Sequence, residues 1–361
     1  MNGAVLTPAS PEELAEAVRS TPHLIAIGAG TKPRLTEVDA VKLSTAGLRG
    51  IREYDPSEFT FTAAAGTPVR EIAAALAERG QYLPFDPMLI EAGATIGGTV
   101  AAGLSGPGRF RFGGLRDFIL GVRFVDGAGR LLRMGGKVVK NAAGFDLPKF
   151  FVGSLGRFGV LTDVTFKVFP RASSTLSVRL AAGTLDAAVR ILTEAASSRY
   201  EFDALDLAPG EEGVLARLAG PPAALEKIAG EIFARWPGEA LCEGDAAAVW
   251  KTLGEFHWVL PGAPLVKVAL APASAAALGQ AVRSIDQARW HLSGGGNFAF
   301  ISLADPNETG RLDERLQNLG LSGVVLRGAA PLWLGLRRSP AIAQAVKNAL
   351  DPVNRFPALD A

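Results

Sequence analysis

The sequence predicts an α+β fold, in which helices cover sheets that are largely antiparallel. Short apolar runs typical of strands dominate the first half, and single helices alternate with strands and hairpins in the second half. Glycine clusters are densest between Gly93 and Gly159, whereas all five tryptophans lie in the second half. We therefore place a domain boundary near Pro170 and Arg171.

The first half begins with a capped helix. Its sequence, PEELAEAVRS, follows Ser10, with proline at the first helical position and Glu13 three residues after the cap. A second helix is predicted in PVREIAAALAERG, where Gly80 ends the apolar periodicity. The predicted strands of this half are Leu24–Ile27, Ala40–Leu43, Phe59–Ala63, Phe118–Val125, Leu131–Met134 and Gly159–Val168.

The second half alternates between the two periodicities. Its predicted strands are TLSVRLA, FDALDLA, GVLARLA, LVKVALA, a pair around GGGN, and GVVLRG. Its predicted helices are LDAAVRILTEAASS, PAALEKIAGEIFARW, GDAAAVWKTLGEF, SAAALGQAVRSI and GRLDERLQNLG, with a last helix, AIAQAVKNAL, before Asp351-Pro352.

Composition narrows the possible functions. The net charge of +1 gives no electrostatic reason to expect a nucleic acid or an anionic membrane as partner. A single cysteine, Cys242, excludes an internal disulfide and an iron–sulfur cluster held by this chain alone. With three histidines we expect no metal site. Because no signal peptide or long apolar run is present, we expect a cytoplasmic protein.

The stretch IAIGAGTKPR resembles the start of a dinucleotide-binding loop, because a strand runs directly into Gly28 and Gly30. A Rossmann fingerprint needs a third glycine and a crossover helix. The third glycine position holds Pro33, and too few residues precede the strand at Val41 for such a helix. Two interpretations remain open for these residues alone: a loop whose backbone N–H groups bind an anion, with Thr31 as an extra donor, or a plain glycine turn.

A second glycine-rich block, Glu91–Pro170, carries more specific motifs. In it, Gly97-Gly98-Thr99 and the small residues after them would let the backbone lie flat against a planar ligand. The DGAG sequence at Asp126–Gly129 predicts a hairpin turn.

These motifs resemble the FAD-binding domain of the vanillyl-alcohol oxidase and p-cresol methylhydroxylase (PCMH) family. The family's T-x-G-G, R-Y-G-x-x-R-D-x-V-L-G, G-G-x-x-x-K-x-x-x-G-Y-D-L and G-S-x-G-x-x-G-x-x-T patterns have counterparts in order. The resemblance runs from about Ser10 to Pro170, with Phe112 and Phe145 at positions where the family often has tyrosine. The matching segments are Thr95–Gly98, Arg111–Gly121, Gly135–Leu147 and Gly153–Thr162.

The resemblance implies an FAD site in which the first glycine loop holds the pyrophosphate. It also implies non-covalent FAD, since neither the histidine nor the cysteine that attaches flavin in some members is present. The implied cofactor-binding residues are Ile27, Gly28, Ala29, Gly30, Thr31, Lys32, Leu43, Ser44, Pro87, Gly93, Ala94, Thr95, Gly97, Gly98, Thr99, Ala102, Ser105, Gly106, Arg116, Asp117, Gly159, Val160 and Leu161.

The resemblance also implies the domain organisation. Residues 1–171 would form the PCMH-type FAD-binding domain, with two α+β subdomains, and residues 172–339 a smaller α+β cap domain with an antiparallel sheet. Residues 340–361 would form a helix and tail that return to the FAD domain. The family closes with D-P-x-x-x-F-N-P-G, whereas this chain keeps Asp351-Pro352 and Phe356 and lacks the N-P-G.

Within the family, the chain is similar to the glycolate oxidase branch, whose FAD-binding subunits are short. This implies oxidation of a 2-hydroxy acid, glycolate to glyoxylate, beside a larger FAD-binding subunit and an iron–sulfur subunit, with peripheral inner-membrane association through the complex. The catalytic branch carries H-x-G-D-G-N-x-H. Here HLSGGGNFAF has Gly295 and Ala299 at the aspartate and second histidine positions, which indicates a hairpin turn. A self-sufficient dehydrogenase and a non-catalytic flavin-binding scaffold remain alternatives.

Several side chains could act on a substrate. An arginine offers a planar fork for a carboxylate, and Arg111 is the preferred candidate among the arginines. Histidines beside tryptophans, His257 and His291, could cap the flavin, although aromatic residues in such domains are more often core. The other arginine candidates are Arg109, Arg116, Arg337 and Arg338.

Overall fold

The computed structural model describes residues 5–136, 146–210, 213–337 and 341–361. The chain divides into two units. The first contains Met1–Ser105, Gly114–Arg171 and Arg338–Ala361, and the second contains Gly106–Gly113 and Ala172–Arg337. The second unit thus takes one short segment from the first half of the sequence, which the sequence analysis did not anticipate. Arg111 in that segment bonds to Asp203, and this contact is part of what places the segment there.

The strands of the described residues are numbered in chain order. They are β1 (Val5–Leu6), β2 (Leu24–Ile27), β3 (Val41–Ser44), β4 (Ile51–Asp55), β5 (Thr60–Ala64), β6 (Gln81–Tyr82), β7 (Ile119–Val125), β8 (Leu131–Gly135), β9 (Val160–Lys167), β10 (Phe169–Pro170), β11 (Ser174–Ala181), β12 (Phe202–Leu207), β13 (Gly213–Gly220), β14 (Gly238–Ala240), β15 (Leu265–Ala269), β16 (Arg289–Ser293), β17 (Phe298–Ser302), β18 (Ser322–Arg327) and β19 (Trp333–Gly335).

The α-helices of the same residues follow the same numbering. They are α1 (Pro11–Ser20), α2 (Val69–Ala77), α3 (Ile96–Ala102), α4 (Arg109–Phe112), α5 (Leu115–Phe118), α6 (Leu147–Phe150), α7 (Leu185–Ala196), α8 (Pro222–Arg235), α9 (Glu243–Gly254), α10 (Ala275–Arg283), α11 (Thr309–Asn318) and α12 (Ala341–Leu350).

The described residues of the first unit form three sheets. A small parallel sheet has the strand order β1-β3-β2, and an antiparallel sheet of five strands has the order β4-β5-β9-β7-β8. The third sheet is the antiparallel pair β6 and β10. Helix α1 packs Leu14 and Val18 into a core that also holds Leu24, Val160 and Phe356. The C-terminal segment therefore lies within the core of this unit.

The second unit is built on one nine-stranded sheet. Its strand order is β14-β11-β13-β12-β16-β17-β15-β18-β19, and its recorded pairings are antiparallel. Helices α7, α8, α10 and α11 cover one face, where alternate strand residues such as Leu205, Val266 and Ile301 meet apolar helix residues such as Leu192 and Leu312. The α+β fold class is confirmed.

Most predicted elements form where the local signals place them. The six strands predicted in the first half all form, with ends shifted by no more than one residue. At the start of α1, the Ser10 side chain accepts from the Glu13 N–H, and the Glu13 carboxylate accepts from the Ala9 N–H. Between β2 and β3 there is only a 3₁₀ turn, Pro33–Thr36, which agrees with the exclusion of a crossover helix.

The glycine block contains a short helix that was not predicted from the sequence. Gly97-Gly98-Thr99 lie within this helix, α3. Thr95 caps the helix, its hydroxyl accepting from the Gly98 N–H, and Gly103 ends it with φ 58°. The two end caps outweigh the low helix propensity of paired glycines.

Candidate cofactor site

The glycine loops of the first unit surround one cavity. It encloses about 740 Å³ of empty space, including solvent in its mouth. Its walls come from the end of β2, the loop after it, helix α3 and the loop before β9. The lining residues are Ala26, Ile27, Gly28, Ala29, Gly30, Thr31, Lys32, Leu35, Thr36, Thr45, Ala65, Thr95, Gly97, Gly98, Ala101, Ala102, Ser154, Leu155, Gly156, Gly159 and Leu161. Short side chains dominate this lining, so backbone atoms face much of the cavity.

The loop after β2, residues 28–32, lines the cavity. Among the described residues, none accepts a hydrogen bond from the backbone N–H groups of residues 28–32. Gly30 has φ 70°, a conformation in which glycine alone carries no penalty, and added carbon there would meet nothing within 4 Å. Successive free N–H groups in such a turn form an anion-binding concavity.

Two glycines bring the walls of the cavity together. A Cβ on Gly28 would overlap the Thr95 hydroxyl. A Cβ on Gly97 would come within 2.7 Å of the Ala65 Cβ and 2.8 Å of the Ala65 carbonyl oxygen. Any side chain at these two positions would separate the loop, helix α3 and β5.

Lys32 supplies a cation to this cavity. Its side chain is 8% exposed, and its ammonium donates to the Thr31 hydroxyl at 2.9 Å. Burial lowers the pKa of Lys32 to about 8, because desolvation disfavours the charged form. An anion bound at the neighbouring N–H groups would raise the pKa of Lys32 again, because it favours the charged ammonium.

About half of the residues named from the sequence line the cavity. They are Ile27, Gly28, Ala29, Gly30, Thr31, Lys32, Thr95, Gly97, Gly98, Ala102, Gly159 and Leu161. The others do not: Leu43, Ser44, Pro87, Gly93, Ala94, Thr99, Ser105, Gly106, Arg116, Asp117 and Val160. Gly106 belongs to the second unit.

The residues outside the lining have other contacts. Leu43 and Val160 point into the core, because strand residues alternate between faces. The Ser105 hydroxyl accepts from the Leu115 N–H, and the Asp117 carboxylate accepts from the Gly114 N–H at the start of α5. Arg116 is exposed on the same helix.

Several lining residues were not named from the sequence. Thr45 is one residue beyond the predicted pair Leu43 and Ser44, and its hydroxyl donates to the Ile27 carbonyl at 3.3 Å. Ser154, Leu155 and Gly156 lie within the Gly153–Thr162 motif, so the motif itself was the signal for them. Ala65 carried no such signal, because its position depends on the packing of Gly97.

The second unit holds His291 in a buried polar cluster. His291 is 0% exposed, and its Nε2 lies 2.7 Å from Asp206 Oδ2. Asp206 also accepts from the Ser293 hydroxyl at 2.8 Å and from the Gly294 N–H at 3.0 Å. The predicted hairpin turn at HLSGGGN is therefore present, and the buried carboxylate holds it from inside.

The remaining catalytic candidates are separated along the second unit. Arg111 donates to Asp203 at 2.8 Å and to Glu201 at 2.6 Å, so its fork is already occupied by two carboxylates. His257 is exposed. Arg109 lies over the Phe298 ring, 5.5 Å from its centre. Arg338, Phe145 and most of the Gly135–Leu147 motif lie outside the described residues.

No group of three or more histidine, cysteine, aspartate or glutamate side chains among the described residues could hold a metal ion. No helix in the same part of the chain is both long and apolar enough to span a bilayer.

Most of the lining of the cavity lies in a segment that matches a known class of domain. Residues 3–135 match the family model described as an FAD binding domain. The match covers less than half of the chain and indicates FAD as the cofactor.

Named relatives refine this class. The chain is 45% identical to the glycolate oxidase subunit GlcE of Escherichia coli over 169 residues, which is 46% of this chain and 48% of that subunit. It is 29% identical to the glycolate oxidase subunit GlcD of Bacillus subtilis over 41% of this chain and 31% of that subunit. A D-2-hydroxyglutarate dehydrogenase of Stutzerimonas stutzeri is 27% identical over 72% of this chain and 58% of that protein. The chain thus spans about half the length of the E. coli subunit.

The fold has a counterpart among solved structures. An alkyldihydroxyacetonephosphate synthase matches with a TM-score of 0.72 and 16% identity, over 97% of this chain and 76% of that one. This likeness concerns the fold.

The residues around the cavity fit FAD. The free N–H groups of residues 28–32 suit a pyrophosphate, and Lys32 suits its charge. Along helix α3 the cavity is lined by small residues, among them Gly98 and Ala102, which suit a flat ligand.

Proposed function

We propose that this chain is the FAD-binding subunit of a multi-subunit glycolate oxidase or dehydrogenase. It would take part in oxidising glycolate, a 2-hydroxy acid, to glyoxylate and would pass electrons to a partner subunit. The observation that carries the proposal is the 45% identity to the E. coli glycolate oxidase subunit GlcE over 169 residues. The cavity with its free backbone donors supports the flavin part of the proposal independently.

FAD would lie with its pyrophosphate at residues 28–32. The backbone N–H groups there would donate to phosphate oxygens, and Lys32 would offset their charge. The small residues of helix α3 would face the rest of the cofactor. The residues lining the cavity include no histidine and no cysteine, which supports non-covalent binding.

Bound FAD would supply a two-electron acceptor for the hydroxy-acid carbon. The protein would orient the cofactor and exclude water from it. The chain has one cysteine, Cys242, too few for an iron–sulfur cluster of its own. The proposed partners are therefore a larger FAD-binding subunit and an iron–sulfur subunit. The proposed location is the cytoplasm, with contact to the inner membrane only through these partners.

Two alternative functions make different use of the same FAD. A self-sufficient 2-hydroxy acid dehydrogenase needs catalytic side chains in the second unit. Gly295 and Ala299 at the aspartate and second histidine positions argue against it, as does the burial of His291 against Asp206. A scaffold that binds flavin without turnover would keep the cavity and lack any response to substrate.

A flavin titration separates these functions. The purified chain is expected to show the absorption bands of bound FAD and to release FAD on denaturation, with no flavin left on the polypeptide. Anaerobic glycolate should not bleach the chain alone. Adding the larger flavin subunit and the iron–sulfur subunit should allow glycolate to reduce this chain's flavin.

Each other outcome changes the proposal. Bleaching of the isolated chain would favour the self-sufficient dehydrogenase. Flavin that stays oxidised in the assembled complex, while glycolate is consumed, would favour the scaffold. A colourless chain that takes up no added FAD would contradict the proposal as a whole.

A further inference from the structure

Arg157 is a buried guanidinium behind two walls of the cavity. Its side chain is 1% exposed. Nη1 donates to the carbonyl oxygen of Leu35 at 2.9 Å and also to that of Leu155, while Nη2 donates to the backbone oxygen of Ala361 at 2.6 Å. Leu35 and Leu155 line the cavity themselves. One guanidinium thus ties the segment after the phosphate loop to the glycine loop before β9.

The Leu155 contact holds an unusual backbone. Leu155 has φ 50°, a conformation that residues with a Cβ rarely adopt. It persists where the surroundings determine it. The Leu155 N–H donates to the Ala101 carbonyl of helix α3, while its own carbonyl accepts from Arg157. Arg157 therefore controls the position of one wall at the cavity surface.

The partners of Arg157 are main-chain oxygens, including that of Ala361, and among the described residues no side chain pairs with it. Within the same part of the chain, its Nε has no hydrogen-bond partner. Burial, and then the nearby Arg34, lower the pKa of Arg157 to about 10. Arg157 in turn contributes to the lowered pKa of Lys347, whose ammonium pairs with Asp351. An unpaired buried cation is costly, and a bound anion nearby offsets part of that cost.

We propose that Arg157 is a positioning residue for the FAD pyrophosphate. It holds Leu35 and Leu155 in place from behind, which fixes the phosphate loop against the glycine loop, and its charge stabilises the bound diphosphate. The inference rests on the proposed FAD site. Arg157 lies outside the lining of the cavity, so it acts through its neighbours and through its field rather than by contact.

The test compares three variants of the full chain. Arg157→Met keeps an unbranched stem of somewhat shorter length and removes the charge and the donors, and Arg157→Lys keeps the charge. Arg123→Met is the matched control, because Arg123 is 43% exposed on the outer face of β7, where it pairs with Asp163 away from this cavity. The measurements are the Kd for FAD of the flavin-free protein at several salt concentrations and its melting temperature.

The expected result is a change in FAD affinity beyond any change in folding. Arg157→Met should raise the Kd about tenfold, equal to about 1.4 kcal/mol. Arg157→Lys should recover most of the affinity. Salt should weaken FAD binding less in Arg157→Met than in wild type, because one cation acting on the phosphates is gone. Arg123→Met should leave the Kd within about twofold, in the range of surface changes.

Other results would overturn the inference. If folded Arg157→Met binds FAD with the wild-type Kd and salt dependence, Arg157 only stabilises the fold. If Arg157→Met does not fold, Arg157→Gln, which keeps a donor and removes the charge, takes its place: a wild-type Kd and salt dependence in that variant would show that Arg157 does not position the cofactor. If the wild-type chain binds no FAD, the proposed function itself is contradicted. If the wild-type chain binds FAD and the Arg157 variants bind it equally well, only the role of Arg157 is contradicted.

Discussion

Two glycine turns of this chain follow apolar strands and look alike in sequence, yet they differ in what satisfies their backbone. The first, Gly28–Gly30, follows β2 and leaves its N–H groups without an acceptor among the described residues. The second, Gly294–Gly296, follows β16, and its first N–H donates to the buried Asp206. The first turn lines a cavity, whereas side chains fill the space around the second.

The surroundings of each turn explain the difference. A Cβ on Gly294 would come within 2.7 Å of the Phe298 ring, and a Cβ on Gly295 within 2.5 Å of the Phe110 ring. A Cβ on Gly30 would meet nothing within 4 Å. The glycines of the second turn permit close packing of the protein on itself, whereas Gly30 of the first turn leaves space into which a ligand can approach. The presence of an internal acceptor, rather than the number of glycines, separates the two.

The variant with the largest expected effect fills the cavity beside the first turn. Gly98→Trp places an indole from helix α3 into the space that FAD would fill, since Gly98 lines the cavity. FAD affinity should fall by at least about a hundredfold, or about 2.7 kcal/mol. The measurement is the Kd for FAD from quenching of its fluorescence on binding.

A tryptophan elsewhere serves as the control. Gly244, in the first turn of α9, is exposed, and a Cβ there would meet nothing within 4 Å. Gly244→Trp should keep the wild-type Kd. If folded Gly98→Trp also keeps the wild-type Kd, the cavity does not hold FAD. The two glycine turns would then not differ in ligand binding.

The second largest effect is expected from a variant that disrupts the second turn. Asp206→Ala removes a buried carboxylate and leaves His291, Ser293 and the Gly294 N–H without their acceptor. The free energy of unfolding should fall by about 3 to 5 kcal/mol, as when one partner of a buried polar pair is removed. Urea denaturation followed by tryptophan fluorescence measures it.

This prediction separates a structural from a catalytic role for the cluster. Asp286→Ala, which removes an exposed carboxylate of the same unit, should change stability by less than about 0.5 kcal/mol. At temperatures where Asp206→Ala is folded, its Kd for FAD should equal that of wild type. Unchanged stability together with lost activity in the complex would instead make His291 and Asp206 part of a reaction site.

Local signals in the sequence were sufficient for many of the elements. Strand periodicity, the Ser10 cap and the position of Pro33 each depend on neighbours along the chain, so β2, α1 and the absence of a crossover helix could be predicted. For residues 27–32 these signals left two interpretations open, and the family resemblance named them as cofactor-binding residues. They line the cavity, and their contact with FAD stays a prediction.

Packing decided what the sequence could not. Helix α3 forms over paired glycines because Thr95 and Gly103 cap it and Gly97 fits against Ala65. Leu43 packs into the core, whereas Thr45, the first residue after β3, lines the cavity. The Asp206–His291 pair joins residues 85 positions apart, so no local pattern indicated it.

The smallest expected effect concerns the charge beside the first turn. Burial lowers the pKa of Lys32 from 10.5 to about 8, so the ammonium of the flavin-free protein is largely neutral above that pH. A diphosphate favours the charged form, so FAD binding above pH 8 must take up a proton. The Kd for FAD should therefore rise with pH above 8, by at most about tenfold per pH unit. Titrations at pH 7, 8 and 9 measure it.

Raising the pH should weaken FAD binding but should stabilise the flavin-free protein. Between about pH 8 and 10.5 the unfolded chain still binds the proton that folded Lys32 has lost, so the free energy of unfolding rises with pH from this residue. Lys32→Arg stays charged throughout this range and should remove both trends. Lys227→Met, an exposed lysine on α8, should preserve both. If the Kd of wild type does not change between pH 7 and 9, Lys32 does not face the phosphates, and the first turn binds its anion through backbone donors alone.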